Sequence, residues 1–328
     1  MSDQPSALPV PHISLHPVKP DAIAPIVRVV LWMMGTLLSF SAMAVSIREL
    51  SATLGIMEIL SARAAIGLLL VGALLAFRPA LRHALNRRRL GLHVARNGIH
   101  FGAQYLWATS LLLLPLSTVF ALEFTMPAWT MLLATLFLHE RMTPSRIGAV
   151  VLGLFGVFVI LRPGIETFHP AALLVLAAAL GYSVQNIATK KLTTTESTFA
   201  IVFWMNVIQL PLGLMGADPF FATKLGLHEL PALAGLGIAG LSAHYCLSNA
   251  FRAGDASLVV PLDFLRIPLI AVVGWWLYGE PLDVFVFAGA GIIVLGLLWN
   301  LRSESQSAVA DRAPAPPTVP QETGTPRA

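Results

Sequence analysis

Apolar residues fill this chain in runs of about 20, separated by short polar segments, and the pattern covers nearly its whole length. A helical run of that size crosses a bilayer core of about 30 Å. The alternation of apolar and polar positions that a membrane barrel needs is not seen. The pattern therefore predicts an all-α, polytopic membrane protein.

Ten transmembrane helices are predicted from these runs. They cover roughly 25–47, 55–77, 95–114, 118–138, 147–162, 171–190, 199–217, 230–250, 257–278 and 284–301. Thr143 and Pro144 favour the start of the fifth helix, as an N-cap followed by proline at the first helical position. Residues 1–24 and 303–328 have the composition of segments that bury no core, so both are predicted to be disordered cytoplasmic tails.

Composition supports a membrane class. The chain is 56% hydrophobic and 12% charged, with a mean hydropathy of +0.75, whereas soluble domains have about 25% charged residues. The single cysteine, Cys246, excludes an internal disulfide and a cysteine-based metal cluster.

Basic residues are distributed unevenly between the two sides of the predicted membrane. With the N-terminus inside, 16 of the 21 Lys and Arg residues are cytoplasmic, 3 are outside and 2 are within helices. Six lie in or next to the loop after the second helix: Arg78, Arg82, Arg87, Arg88, Arg89 and Arg96. Because cytoplasmic loops carry the excess of basic residues, both termini are predicted to be cytoplasmic. Topology thus explains the net charge of +4 better than nucleic acid binding does.

The chain repeats itself at an offset of 140 residues. Ten identities fall within 60 ungapped positions: Ala103/Ala243, Tyr105/Tyr245, Ser117/Ser257, Val119/Val259, Leu122/Leu262, Phe124/Phe264, Glu140/Glu280, Gly156/Gly296, Leu161/Leu301 and Arg162/Arg302. Two copies of one unit in a membrane chain are typical of transporters. The predicted repeats are 25–164 and 165–302. Since each has five helices, the second must be inverted, which places a substrate site near the membrane midplane.

Four charged residues that fall inside predicted helices, away from their ends, are candidates for a site: Arg63, Glu123, Asp263 and Arg266. A charge at the bilayer centre costs about 2.5–3.5 kcal/mol, so such residues usually face a cavity or a partner. Glu123 and Asp263 match by repeat, and Asp263 and Arg266 share a helix face. One interpretation is a cavity of both signs for a zwitterionic or anionic metabolite. The other is a set of salt bridges that fixes helix packing.

Proton coupling is a further hypothesis for the two acids. Desolvation favours a neutral carboxyl group and a nearby arginine favours a charged one. Asp263 is closer in sequence to Arg266, which makes Glu123 the better candidate for the coupling proton. Glu140 and Glu280 are instead predicted to form hydrogen bonds at helix ends and loops.

Other residues within the helices form a weaker set. Tyr105 and Tyr245 are added to the candidate site because they match by repeat. Further polar and aromatic residues, each a packing contact or a ligand contact, are Asn97, His100, Gln104, Trp107, Tyr182, Gln185, Asn186, Trp204, Asn206, Gln209, His244 and Asn249. Pro127 and Pro268 each remove a helical hydrogen bond and form either a hinge or a simple kink. Glycines in the fifth and tenth helices predict close packing.

Several motifs are missing. The chain has no Walker loop, dinucleotide fingerprint, HExxH or GxSxG. We therefore expect no cofactor and no metal, and ATP bound by this chain is not expected as the source of energy. A basic region interleaved with aromatic residues is also missing, so nucleic acid is not an expected partner.

Both halves resemble an EamA domain of the drug/metabolite transporter superfamily. The resemblance rests on Phe124-Thr125-Met126-Pro127 through Leu138-His139-Glu140-Arg141 and on Leu161-Arg162-Pro163-Gly164. In the second half it rests on Ala256-Ser257-Leu258-Val259-Val260-Pro261, Arg266-Ile267-Pro268 and Gly279-Glu280-Pro281, and Arg63 follows Ser61-Ala62 as in many members. Glu123 is a departure, since many members have a neutral residue there.

The resemblance implies a ten-helix carrier of the bacterial inner membrane. Members move amino acids, nucleotide-like metabolites, drugs, or vitamins such as riboflavin, and export driven by the proton gradient is common. We therefore expect a secondary transporter of a small polar metabolite. Uptake of a compound such as riboflavin or S-adenosylmethionine is the alternative within this class. An integral-membrane enzyme or a structural membrane protein is the alternative outside it, and a homodimer is left open.

Overall fold

The computed structural model describes residues 23–85, 87–138, 143–162, 169–193, 195–253, 259, 262–263 and 265–310. Within them the chain is helical, with no β-strand. The helices are α1 (Ile23–Leu50), α2 (Ile56–Phe77), α3 (Leu90–Leu113), α4 (Leu116–Glu123), α5 (Met126–Leu138), α6 (Pro144–Leu161), α7 (Ala171–Thr193), α8 (Thr198–Leu214), α9 (Leu230–Ala253), α10 (Arg266–Tyr278) and α11 (Val284–Ala310). Short 3₁₀ helices cover Pro79–Ala84 and Phe221–Lys224.

Seven helical segments of the described chain are long and apolar enough to cross a membrane. They lie in α1, α2, the α4–α5 pair, α6, α7, α9 and α11, and two shorter apolar segments lie in α8 and α10. This result confirms the all-α, polytopic class. Residues 303–310, predicted to begin the C-terminal tail, instead continue α11.

Helix α3 corresponds to the third predicted span but is not among these apolar segments. It begins at Leu90, whereas the sequence predicts a start near residue 95. Its buried face holds His93, Arg96, Asn97, His100, Gln104 and Trp107. These positions recur every three or four residues, so they share one side of the helix. That side faces α7 and α8, where polar partners are available.

The fourth predicted span is broken in the middle. Helix α4 ends at Glu123, and Thr125 closes its last turn by donating its hydroxyl to the Leu122 carbonyl at 2.8 Å. Helix α5 restarts at Met126 with Pro127 in its first turn, where the missing N–H needs no acceptor. In the second half, Leu265 forms the turn before α10, and Pro268 lies in the first turn of that helix. Both prolines therefore follow breaks at matching positions.

Each helix of the first half packs against a helix of the second half. The most extensive pairs are α1 with α9, α2 with α8, α3 with α7, and α6 with α11, and α4 packs against α10. Gly156 and Gly289 bring α6 and α11 together, since a Cβ on Gly289 would lie 2.5 Å from the Gly156 carbonyl oxygen. This contact confirms the close packing that the glycines predict.

The largest hydrophobic core surrounds α4. Val119, Phe120 and Leu122 are fully buried, and Ile267 of α10 belongs to the same cluster. Burial of this short helix on all sides fixes its last residue, Glu123, inside the bundle.

One end of the bundle contains the C-terminal ends of α1, α3, α6, α8 and α10. We name it the Glu280 end. Contacts there include the Tyr278 hydroxyl donating to Glu49 at 2.8 Å and Arg162 donating to Asp283 at 2.5 Å. Lys224 donates to Glu58 at 2.8 Å and lies 3.0 Å from Asp218, and these carboxylates raise the pKa of the Lys224 ammonium.

Candidate functional site

Glu123, Asp263 and Arg266 come together where the two broken helices face each other. Arg266 donates from Nη2 to Asp263 Oδ1 at 2.5 Å, and its Nη1 lies 3.7 Å from Glu123 Oε1. The Arg266 side chain is 6% exposed. We name these three residues the charged triad. The sequence predicts all three as site residues, and the structure places them in one cluster.

Aromatic side chains enclose the triad. The indole N–H of Trp107 in α3 donates to Glu123 Oε2 at 2.8 Å. The Arg266 guanidinium stacks 4.1 Å from the ring centroid of Phe40 in α1, and the Phe120 and Phe124 rings lie within 6 Å. These rings stabilise the cation and keep lipid away from it.

The helix dipoles do not favour these charges on their own helices. Glu123 ends α4, where the dipole is negative, and Arg266 begins α10, where it is positive. Each charge is therefore stabilised by oppositely charged side chains outside its own helix, and not by the dipole of that helix. This arrangement suits a site more than a simple helix cap.

Arg63 lies in a second polar group, which we name the Arg63 cluster: Arg63, His100, Gln104 and Gln209. Arg63 Nη2 donates to Gln104 Oε1 and to Gln209 Oε1, both at 2.7 Å. The Gln209 amide nitrogen lies 2.6 Å from His100 Nδ1. Among the described residues no carboxylate forms an ion pair with Arg63. The structure therefore separates Arg63 from the charged triad.

The buried face of α3 links the two groups. Its Gln104 contacts Arg63, and its Trp107, three residues further along, donates to Glu123. Tyr182 of α7 packs against the Arg63 cluster, with its ring 5.6 Å from the ring of His100. The triad and the Arg63 cluster are thus neighbours along one helix face.

Arg96 is a buried residue that the sequence analysis counts with the cytoplasmic basic residues, next to the loop after the second helix. In the structure it lies within α3 and is 6% exposed. It donates to Asn97 Oδ1 at 2.5 Å and to Thr189 Oγ1 at 3.1 Å. The neighbouring His93 is fully buried and neither ring nitrogen has a hydrogen-bond partner. The polar stripe along α3 is the sequence signal that could have identified both.

Tyr105 and Tyr245 are not brought to this region. Tyr105 is 37% exposed and lies off the buried face of α3. Tyr245 is 63% exposed and packs edge-on against Trp32, with ring centroids 5.8 Å apart. Their repeat match reflects equivalent places in the fold, on surfaces that face outward.

Three repeat identities, Glu140, Ser257 and Phe264, lie outside the described residues. Glu280 is described and has the hydrogen-bonding role that the sequence predicts: its Oε2 accepts from the Leu116 backbone N–H at 2.8 Å. A separate cavity of about 570 Å³ opens at the Glu280 end between α1 and α9. Ser46, Glu49 and Glu229 are among the residues that line it.

The model of the EamA-like transporter family matches this chain twice, over residues 27–162 and 169–302. The chain belongs to the EamA-like transporter family. The two matches together cover most of the sequence, and both the charged triad and the Arg63 cluster lie within them. The family confirms the resemblance predicted from the repeat motifs.

Named relatives are transporters of small molecules. The chain is 28% identical to an S-adenosylmethionine uptake transporter of Rickettsia felis over 69% of this chain and 76% of that protein. It is 34% identical to a riboflavin transporter of Rhizobium johnstonii over 64% and 68%. It is 26% identical to the pseudopaline exporter CntI of Pseudomonas aeruginosa over 79% and 91%. A solved crystal structure has a similar fold, with a TM-score of 0.57 and 17% identity over 88% of this chain and 99% of the other.

Proposed function

We propose that this protein is a secondary transporter that moves a small polar metabolite across the bacterial cytoplasmic membrane. The charged triad at the two helix breaks carries the proposal. Carriers built from inverted repeats bind substrates near the midplane, where discontinuous helices meet. Here both breaks occur at matching positions, and the charges of Glu123, Asp263 and Arg266 converge on them.

The architecture we propose has ten spans in two inverted five-helix repeats. The helices of the described residues supply ten segments if α4 and α5 form one span and α10 forms the end of another. The pairing of α1 with α9 and of α3 with α7 supports a twofold relation between the halves. In such a relation the first helix of each repeat packs on the third helix of the other.

The orientation follows from the basic residues. With 16 of 21 inside and 3 outside, the termini face the cytoplasm and the Glu280 end faces outward. Arg96 is buried within α3. When it is left out of the cytoplasmic count, 15 basic residues remain inside against 3 outside, so the orientation is unchanged.

Proton coupling through Glu123 is the mechanism we propose. Asp263 holds Arg266 at 2.5 Å, whereas Glu123 lies 3.7 Å away and has one further partner, the Trp107 indole. Asp263 is thus the tighter partner of the arginine. Glu123 can lose or gain a proton without dissolving the Arg266–Asp263 pair, as alternating access changes its contact with water.

Relatives support both directions of transport. One is named an exporter and another an uptake transporter. We propose export of an amino acid or a related compound. Uptake of a vitamin or nucleotide-like metabolite is the second candidate, because riboflavin and S-adenosylmethionine transporters cover about two thirds or more of this chain.

Transport into proteoliposomes tests the proposal. Purified protein is reconstituted without ATP, and accumulation of radiolabelled amino acids, riboflavin and S-adenosylmethionine is measured with and without an imposed pH gradient. We expect accumulation of at least one compound, increased by the gradient. Glu123→Gln is expected to keep substrate exchange and lose the response to the gradient, whereas Glu49→Gln, at the Glu280 end, is the matched control that keeps it.

Two results would count against the proposal. Chemical conversion of a compound by the purified protein, without its accumulation, would favour an enzyme. If Glu123→Gln and Asp263→Asn both retain full gradient-driven accumulation, the two acids are structural and proton coupling runs elsewhere.

A further inference from the structure

Two buried arginines, Arg63 and Arg96, have no carboxylate partner among the described residues. They are 5% and 6% exposed. Both belong to one buried polar region, because Arg63 contacts Gln104, which shares the buried face of α3 with Arg96. An arginine keeps its proton under all ordinary conditions, so the pair cannot become neutral.

The groups that contact these arginines are neutral. Arg63 meets the amide oxygens of Gln104 and Gln209, and Arg96 meets Asn97 and Thr189. Amides and hydroxyls solvate a cation without balancing its charge. Three other arginines have carboxylate partners: Arg266 has two acids, Arg48 has Glu280 and Arg162 has Asp283.

Donor groups at the pair are left without acceptors. Arg63 Nε and Asn97 Nδ2 are fully buried and have no hydrogen-bond partner. A buried donor without a partner costs free energy, and an unbalanced buried charge costs more. One anionic group with several acceptor oxygens would balance the positive charge and would also accept hydrogen bonds from these donors.

We propose that Arg63 and Arg96 form a binding site for an acidic group, a carboxylate or phosphate, of the transported substrate. The inference rests on the proposed transport function and gives the substrate its chemical class. Arg63 is the deeper member, and Arg96 lies six residues after the start of α3, about 9 Å along the helix. An anion that enters from the end opposite the Glu280 end meets Arg96 first.

The site also orients the rest of the substrate. Gln104 beside Arg63 and Trp107 beside Glu123 lie about one turn apart on the buried face of α3, so a molecule that binds Arg63 by its acidic group extends along this face towards the triad. A cationic or donor group at its other end would then reach Glu123. Substrates with an acidic group at one end and an amine at the other fit both places.

Anion binding is tested on the protein purified in a neutral detergent, with inorganic phosphate and acetate as probes. The melting temperature is followed by tryptophan fluorescence at constant ionic strength in sodium chloride. We expect both probes to raise it by several degrees, because a ligand that binds only the folded state stabilises that state. Arg63→Gln is expected to abolish the increase.

Gln209→Glu is the decisive variant, because it does not depend on removing a buried charge. The new carboxylate lies at the position of an oxygen now 2.7 Å from Arg63. We expect a higher melting temperature without any anion and no further increase with phosphate or acetate. Asn249→Asp is the control: it makes the same amide-to-acid change in α9, where the amide donates to the Tyr245 carbonyl, and it should keep the response to both probes.

An unchanged response of Gln209→Glu, or no response of the wild type to either anion, would overturn the proposed site. Failure of this site and failure of the transport function are distinguishable. Binding in detergent without accumulation in proteoliposomes would leave the anion site and reject the transporter. If anions do not stabilise the wild type, and Gln209→Glu accumulates substrate at the wild-type rate, the anion site is rejected and the transport function is kept.

Discussion

Arg48 at the end of α1 forms an ion pair with Glu280 in the turn after α10. The same arginine donates to the Leu111 and Leu114 carbonyls at the end of α3, the latter at 2.8 Å. Glu280 in turn accepts from the first backbone N–H of α4. Two side chains thus satisfy the ends of α3 and α4 and hold four elements together at the Glu280 end.

Loss of the Glu280 charge should loosen this end of the bundle. A hydrogen bond to a charged group contributes about 1.5–3 kcal/mol. Glu280→Gln is therefore expected to increase the fraction of molecules in which this end is open by about tenfold or more. The measurement is labelling of Ser117→Cys, a buried position in the first turn of α4, by a membrane-impermeant maleimide in a Cys246→Ser background. Glu229→Gln at the same end is the control and should leave the labelling rate unchanged. Equal rates for both variants would show that the ion pair does not close this end.

The contact between α6 and α11 depends on the absence of a side chain at Gly289. A Cβ there would lie 2.5 Å from the Gly156 carbonyl oxygen and the Ile160 side chain. Gly289→Ala should therefore destabilise the protein by about 1–3 kcal/mol, as overpacking usually does. Gly291→Ala, two residues along the same helix, meets nothing within 4 Å and should be tolerated. Thermal unfolding in detergent compares the two, and equal melting temperatures would contradict the tight packing.

The helices are predictable from the sequence because their apolar runs are long and the membrane permits few alternatives. The repeat at 140 residues likewise places Glu123 and Asp263 at equivalent positions of the two halves. The pairing of Asp263 with Arg266 is local in sequence, whereas the approach of Glu123 from the other half is visible only in the folded chain. The sequence identifies Glu123, Asp263 and Arg266 as charges inside the spans, and only packing shows that all three meet.

The misplaced residues have a common physical reason. Arg96 is counted with the cytoplasmic arginines because it lies at the predicted start of the third helix, next to a basic loop. The structure buries it, since α3 turns its polar face towards α7 and α8. Tyr105 lies on the outward side of the same helix, at a step of about 100° from Gln104. The helical periodicity of α3 distinguishes the buried Arg96 from the outward-facing Tyr105, and the repeat match does not.

Topology gives a direct prediction. A fluorescent protein fused at the C-terminus should fluoresce in the cytoplasm, and a phosphatase fused there should be inactive, because the excess of basic residues on that side predicts a cytoplasmic location. The fusion point is best placed after Ala310, since α11 continues to that residue. A fusion in the loop between α10 and α11, near Asp283, is the matched control and should give an active phosphatase. The reverse pattern would require the opposite orientation.

Removal of Arg266 should be more damaging than the loss of one ion pair. Glu123 and Asp263 would then face each other across the break with no cation between them, and breaking a buried pair in this way costs about 3–5 kcal/mol. Arg266→Gln is therefore expected to lower the melting temperature strongly and to abolish transport. Arg302→Gln, an exposed arginine in α11, is the control and should change neither.

A second substitution separates electrostatics from packing in this variant. If Arg266 acts by balancing charge, Arg266→Gln combined with Asp263→Asn should recover much of the lost melting temperature, because one of the opposed carboxylates is gone. If the guanidinium acts mainly by stacking on Phe40, 4.1 Å away, the double variant should be as unstable as the single one. Transport should stay absent in both, since neither retains the cation of the triad. Recovery of transport by the double variant would show that Arg266 is needed only to neutralise Asp263.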